Sequence, residues 1–187
     1  MKKQLLFWII ITISFSCSSQ ESYKNYHHSL KKLLKDSVLI NKQLSINVDK
    51  SDYKLALLAD TIVVKEYPVV FGGNPKEDKL RQGDQCTPEG KFKIRSKYPH
   101  KSWSKFIWID YPNRNSWNKH NQAKREGKIP EDATIGGEIG IHGIPEGLDF
   151  MIDLRRNWTL GCISLKNKDI EELYPYITEN TIIKISK

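Results

Sequence analysis

The sequence predicts a mainly β domain with a small α share, and three patterns carry that prediction. β-branched and apolar runs begin at Leu44 and are punctuated by Asp/Ser and Ala-Asp turns. Two later segments alternate with a period of two, and an apolar stripe at helical spacing follows near the C-terminus. At 187 residues, with 39% apolar and 28% charged side chains, the chain can bury one core and is too ordinary in composition to be fibrous or disordered. One domain over 44–187, preceded by a modest extension, is expected.

The extension opens MKKQLLFWIIITISFSCSSQ, with Lys2 and Lys3 ahead of an apolar run from Leu5 to Ile13 and small residues around Cys17. That order of charge, apolar run and small residues reads as an export signal over 1–16. The run is shorter than the roughly 20 residues a membrane-spanning helix needs. The pattern resembles a bacterial lipoprotein signal, which implies lipid attachment at Cys17 and a membrane-anchored, periplasmic protein; an ordinary cleaved signal with a stray cysteine is the alternative. Formal charge is +8 for the whole chain and +6 once those two lysines leave. Outside the cytosol such a charge suits anionic wall polymers or membrane surfaces, and the chain lacks the aromatic or recognition-helix signatures of nucleic-acid binding. Residues 17–43 read as a polar tether and a short amphipathic helix, with Tyr23, Tyr26, Leu30, Leu33 and Leu34 on one stripe and His27-His28 solvated.

Within the domain, 44–50, 53–60 and 61–73 read as hairpin-connected strands. The Thr87-Pro88-Glu89-Gly90 turn leads into another strand, and Ile107 to Tyr111 gives one more. The polar passage 112–134 reads as a long loop of the lid or binding kind. Lys166 to Ile177 reads as a helix with Asn167 as its cap and Ile170, Leu173, Tyr174 and Ile177 as its buried stripe.

The chemistry lies in two short strands. Alternation in Glu138–Gly143 sends Ile139 and Ile141 to one face and Gly140 with His142 to the other. In Cys162–Leu165 it sends Ile163 and Leu165 one way and Cys162 with Ser164 the other. If the strands are neighbours, thiol and imidazole meet on one face, the geometry in which a base activates a cysteine nucleophile. Taken singly, His142 could equally be a hydrogen-bonded structural histidine and Cys162 an inert buried thiol. An oxidising compartment would also permit a Cys86–Cys162 bridge. A zinc site through these cysteines lacks the CxxC or HExxH spacing that usually announces one. Cys86 otherwise reads as a packed or loop thiol.

The pair IHG and WTLGCISL, with the upstream GDQCTPEGKFKI, resembles the L,D-transpeptidase catalytic domain, also called the YkuD domain, from about Leu44 onward. His142, Gly143, Thr159, Gly161, Cys162 and Ile163 fill its motif positions. The resemblance implies a curled mixed β-sheet around the site, with a short helix near the C-terminus supplied by 166–177. It implies Cys162 as nucleophile, His142 as base, the Gly143 carbonyl orienting the imidazole, and backbone N–H groups of Leu160, Gly161 and Cys162 holding the oxyanion. Peptidoglycan stem peptides would be the substrate, cleaved after their third residue by a monomer that uses no cofactor or metal. Gly161 would clear room for the incoming carbonyl. Leu160 and Ser164 depart from the residues many members carry: Leu160 implies altered tuning with the backbone donors kept, and Ser164 leaves recognition of the substrate carboxylate to Arg155 or Arg156, whose alternative is a solvated loop charge. Trp158, Thr159 and Ser164 complete the expected substrate contacts. Three functions fit: transpeptidation, hydrolysis through the same acyl-enzyme, or wall binding without activity.

Overall fold

The computed structural model describes residues 23–39 and 41–187. The export signal and Cys17 lie outside the described residues. The chain runs through α1 (Leu30–Leu33), β1 (Leu44–Asp49), β2 (Lys54–Ala59), β3 (Ile62–Pro68), β4 (Gly90–Phe92), β5 (Ile94–His100) and β6 (Ser104–Ile109). It continues with α2 (Arg114–Arg125), β7 (Gly140–His142), α3 (Phe150–Asp153), β8 (Ile163–Ser164), α4 (Asn167–Leu173) and β9 (Ile182–Ser186). The expected mainly β fold with mixed strand pairing is present, its strands divided between two mixed sheets ordered β3-β2-β1-β9-β4 and β5-β6-β7-β8. β1 to β3 form the expected antiparallel meander, while β9 returns parallel to β1 and β8 lies parallel to β7.

Alternation decides what each sheet buries. Ile46, Val48, Leu55 and Leu57 from the first sheet meet Ile107, Ile109, Ile141 and Ile163 from the second, with Ile170, Leu173 and Ile177 closing the same core. Burying side chains of this size stabilises the fold by about 1.5–3 kcal/mol each, before the entropy of ordering them is subtracted. The apolar stripe read over 166–177 is present, with Tyr174 at its margin. Its helix nevertheless begins after a Lys166 cap and ends in a 3-10 turn over Tyr174–Tyr176. Asn167 does not cap it, because its side chain serves the loop after His142.

Two expectations fail for identifiable reasons. The passage 112–134 is not all loop: Asn113 and Ser116 form a capping box that starts α2, and Ser116, His120 and Ala123 make its buried face. That face is polar, so an apolar stripe could not announce it. The second concerns the helical stripe read in the N-terminal segment, where from Tyr23 the chain packs on the domain. Leu30 enters the main core, Tyr26 Oη–H donates to Asp169 at 2.8 Å, and the Leu30 amide donates to Glu172 at 2.8 Å. The helical stripe read there shrinks to the single turn of α1; His27 and His28 are exposed, as read.

Candidate active site

β7 and β8 lie side by side in register, with Ile141 opposite Ile163 and His142 opposite Ser164. Parallel neighbours in register share a face, so the two alternations converge. The isoleucines enter the core, while His142 and Cys162 both line one cavity of about 980 Å³. Cys162 and Cys86 are free thiols, which removes the bridge between them.

The imidazole is held from every side. Its Nδ1–H donates to the Gly143 carbonyl at 2.6 Å, which leaves the Nε2 lone pair as its basic position. Trp103 stacks on the ring at 4.4 Å between centroids and Phe106 at 5.7 Å, and Trp158 meets it edge-on at 5.6 Å. The space that Gly140 leaves beside the histidine is filled by Phe106, whose ring a Cβ there would strike at 2.5 Å. Burial pushes the His142 pKa down to about 4, against the Gly143 hydrogen bond that raises it.

The thiol sits on a turn built from glycine and threonine. Thr159 Oγ donates to the Cys162 carbonyl at 2.7 Å and accepts the Gly161 amide at 3.1 Å. Cys162 Sγ–H donates to the Glu138 carbonyl at 3.5 Å. Glu138 holds a φ of 57°, a left-handed conformation that costs a non-glycine residue about 1 kcal/mol or more. Burial raises the Cys162 pKa to about 11.

Several expected roles move. Gly161 is required by packing behind the turn, since a Cβ would lie 2.7 Å from the Cys86 carbonyl and its φ is 140°. Its amide is taken by Thr159, so Leu160 and Cys162 are the remaining oxyanion candidates of the three. Ser164 is fully buried and donates to the Gly143 carbonyl at 3.1 Å; it supports the histidine and is out of substrate's reach. Thr159 lines the cavity with its hydroxyl spent inside the turn, and Trp158 and Leu160 line it as well, Leu160 being 77% exposed. Arg155 and Arg156 do not line it: the Arg155 guanidinium lies over the Tyr53 ring at 5.1 Å. The lysine at the cavity is Lys79, whose ammonium is paired with Asp84 at 2.8 Å. Cys86 is a packed thiol, donating to the Asp84 carbonyl at 3.3 Å, with its pKa raised by burial to about 11.

Sequence reasoning missed two contributors. Asn167 Oδ1 accepts the Ile144 amide at 3.0 Å and presses on Gly143, where a Cβ would collide with it and come within 2.5 Å of the Trp103 carbonyl. The aromatic wall of Tyr98, His100, Phe106 and Trp108 comes from the β5–β6 hairpin. Its signal was present as period-two aromatic pairs on both strands.

A free thiol and a buried imidazole with a fixed tautomer thus line one cavity on a two-sheet β domain. The chain belongs to the L,D-transpeptidase catalytic domain family, whose YkuD model matches residues 43–185. Among solved structures it is similar to Bdellovibrio bacteriovorus Bd1075, at 26% identity over 78% of this chain and 48% of that one, TM-score 0.52. It is also similar to the helical cell shape determining protein Pgp2 from Campylobacter jejuni, at 20% identity over 84% and 55%, TM-score 0.54. The Ldtfm-avibactam carbamoyl enzyme matches at 17% identity over 78% and 49%, TM-score 0.52. The chain thus spans about half the length of the structures it matches. No curated protein matches it.

Proposed function

We propose that this chain is an exported, cysteine-dependent peptidoglycan acyltransferase. The observation that carries the reading is that Cys162 and His142 line one cavity while Gly143 holds the imidazole as its Nδ1–H tautomer, leaving Nε2 free to take the thiol proton. As the proton passes to Nε2, sulfur attacks the carbonyl after the third residue of a stem peptide. The developing oxyanion falls to the amides of Leu160 and Cys162; losing one such donor lowers the rate by about a hundredfold or more. The terminal D-amino acid leaves with the proton returned by His142, and a thioester remains on Cys162. An amine from a second stem then attacks the thioester, His142 takes its proton, and the thiol is restored. The scheme calls on no metal or cofactor, and peptidoglycan stem peptides serve as both acyl donor and amine acceptor. Export by residues 1–16, with lipid attachment at Cys17, delivers the domain to the wall.

Incubation of the full chain with defined muropeptides tests this through product masses. Cross-linked dimers that disappear in Cys162→Ala are expected. Shortened monomers alone would assign water as the acceptor, and unchanged muropeptides would overturn the enzyme reading.

A further inference from the structure

The segment 23–39 precedes the 43–185 span of the family model, yet it is bound to the body of the domain. Beyond the Tyr26 and Leu30 contacts, the Lys24 amide donates to Glu66 at 2.8 Å, and Lys65 Nζ–H donates to the His28 carbonyl at 2.6 Å. Inward-facing groups are therefore satisfied, and the segment turns four lysines outward: Lys24, Lys31, Lys32 and Lys35 are exposed, alongside His27, His28, Ser29 and Ser37. Asp36 is the one exposed acid among these residues. Val38, 61% exposed, and Ile62, 38% exposed, line the same groove against β3. None of these residues lines the Cys162 cavity.

We propose that this face seats the domain on an anionic phospholipid surface. Two features of the chain select a membrane over a soluble partner. Lys24, Lys32 and Lys35 line one groove with the solvent-facing Val38, and Lys31 is exposed on the same segment, a combination that matches a negatively charged interface which also accepts an apolar side chain. The chain also enters this face from Cys17, the expected lipid-attachment position: six peptide steps separate Cys17 from Tyr23, a reach of at most about 21 Å. Any membrane that holds the N-terminus is therefore within contact range of these lysines, and their attraction to acidic headgroups adds to whatever holds the terminus. Because the face is fixed to α4 and β3, seating it would also fix the orientation of the catalytic domain. The inference stands apart from the acyl-transfer chemistry.

The full chain inserted into phosphatidylcholine vesicles, with or without about a third phosphatidylglycerol, tests it by amide hydrogen exchange. Amides 24–39 should exchange about tenfold more slowly in the acidic vesicles than in the neutral ones. The difference should vanish at high salt and in the Lys24→Glu, Lys31→Glu, Lys32→Glu, Lys35→Glu variant. That variant's core amides should retain their protection, showing that it is folded. Equal exchange in both vesicle types would overturn the proposal. So would protection by purified sacculi and not by vesicles, which would assign the face to a wall polymer.

Discussion

His142 and Cys162 are both held in their uncharged forms, the imidazole with its pKa lowered to about 4 and the thiol with its pKa raised to about 11. In the proposed reaction the proton would therefore move during attack and not beforehand. Alkylation of Cys162 by iodoacetamide, read by peptide mass, should climb about tenfold per pH unit from pH 7 to 10 without levelling near 8.5, where an ordinary thiol would. A plateau below pH 7 would reveal a resting thiolate. Gly143→Ala must push a methyl onto Asn167 and the Trp103 carbonyl, and should lower stability by about 1–3 kcal/mol in denaturant melts. Ser164→Ala removes one buried hydrogen bond to Gly143 and should cost about 1 kcal/mol, with KM for a stem peptide unchanged. A raised KM would return Ser164 to the substrate-contacting set.

α4 joins the N-terminal segment to the site, receiving Tyr26 on Asp169 and the Leu30 amide on Glu172 while Asn167 braces Gly143. Burial raises the Asp169 pKa to about 6, against the Tyr26 hydrogen bond and nearby lysines that lower it. The folded state thus prefers the protonated carboxyl, and this contribution is present below pH 3.8 and lost as pH rises to about 6. His142 acts with the opposite sign: the unfolded chain binds its proton first, so stability falls as pH drops from 6.5 to about 4. Asp169→Asn should therefore leave the protein losing more stability on acidification through this window than the parent does, as measured by melts between pH 4 and 7. At this scale the sequence was legible where side chains alternate against a core, as in β7, β8 and the Ile170, Leu173, Ile177 stripe. It was silent where polar groups set the structure. α2 rests on the Asn113–Ser116 box and a buried His120 donating Nδ1–H to the Leu80 carbonyl at 2.6 Å. Asn167, read as a cap, turns to a neighbouring loop that no local pattern could indicate.

Across the whole molecule, two sheets share one core, and the site forms where β7 and β8 meet the β5–β6 hairpin and the loop carrying Lys79 to Cys86. The common face of His142 and Cys162 was readable from the chain because period-two alternation fixes it, while their motif roles are what the family resemblance implies. Their surroundings were not readable, since Trp103 and the Cys86 carbonyl reach the site through long-range packing. That packing also separates the two thiols in chemical terms: Cys86 is 2% exposed and tucked against Asp84, whereas Cys162 opens to the cavity. Mass spectrometry of the full chain after treatment with a carbapenem tests the central claim most directly. The account predicts one covalent adduct, mapped to Cys162, absent in Cys162→Ala and formed at least about a hundredfold more slowly in His142→Ala. No adduct on the parent protein, or an adduct mapped to Cys86, would contradict it.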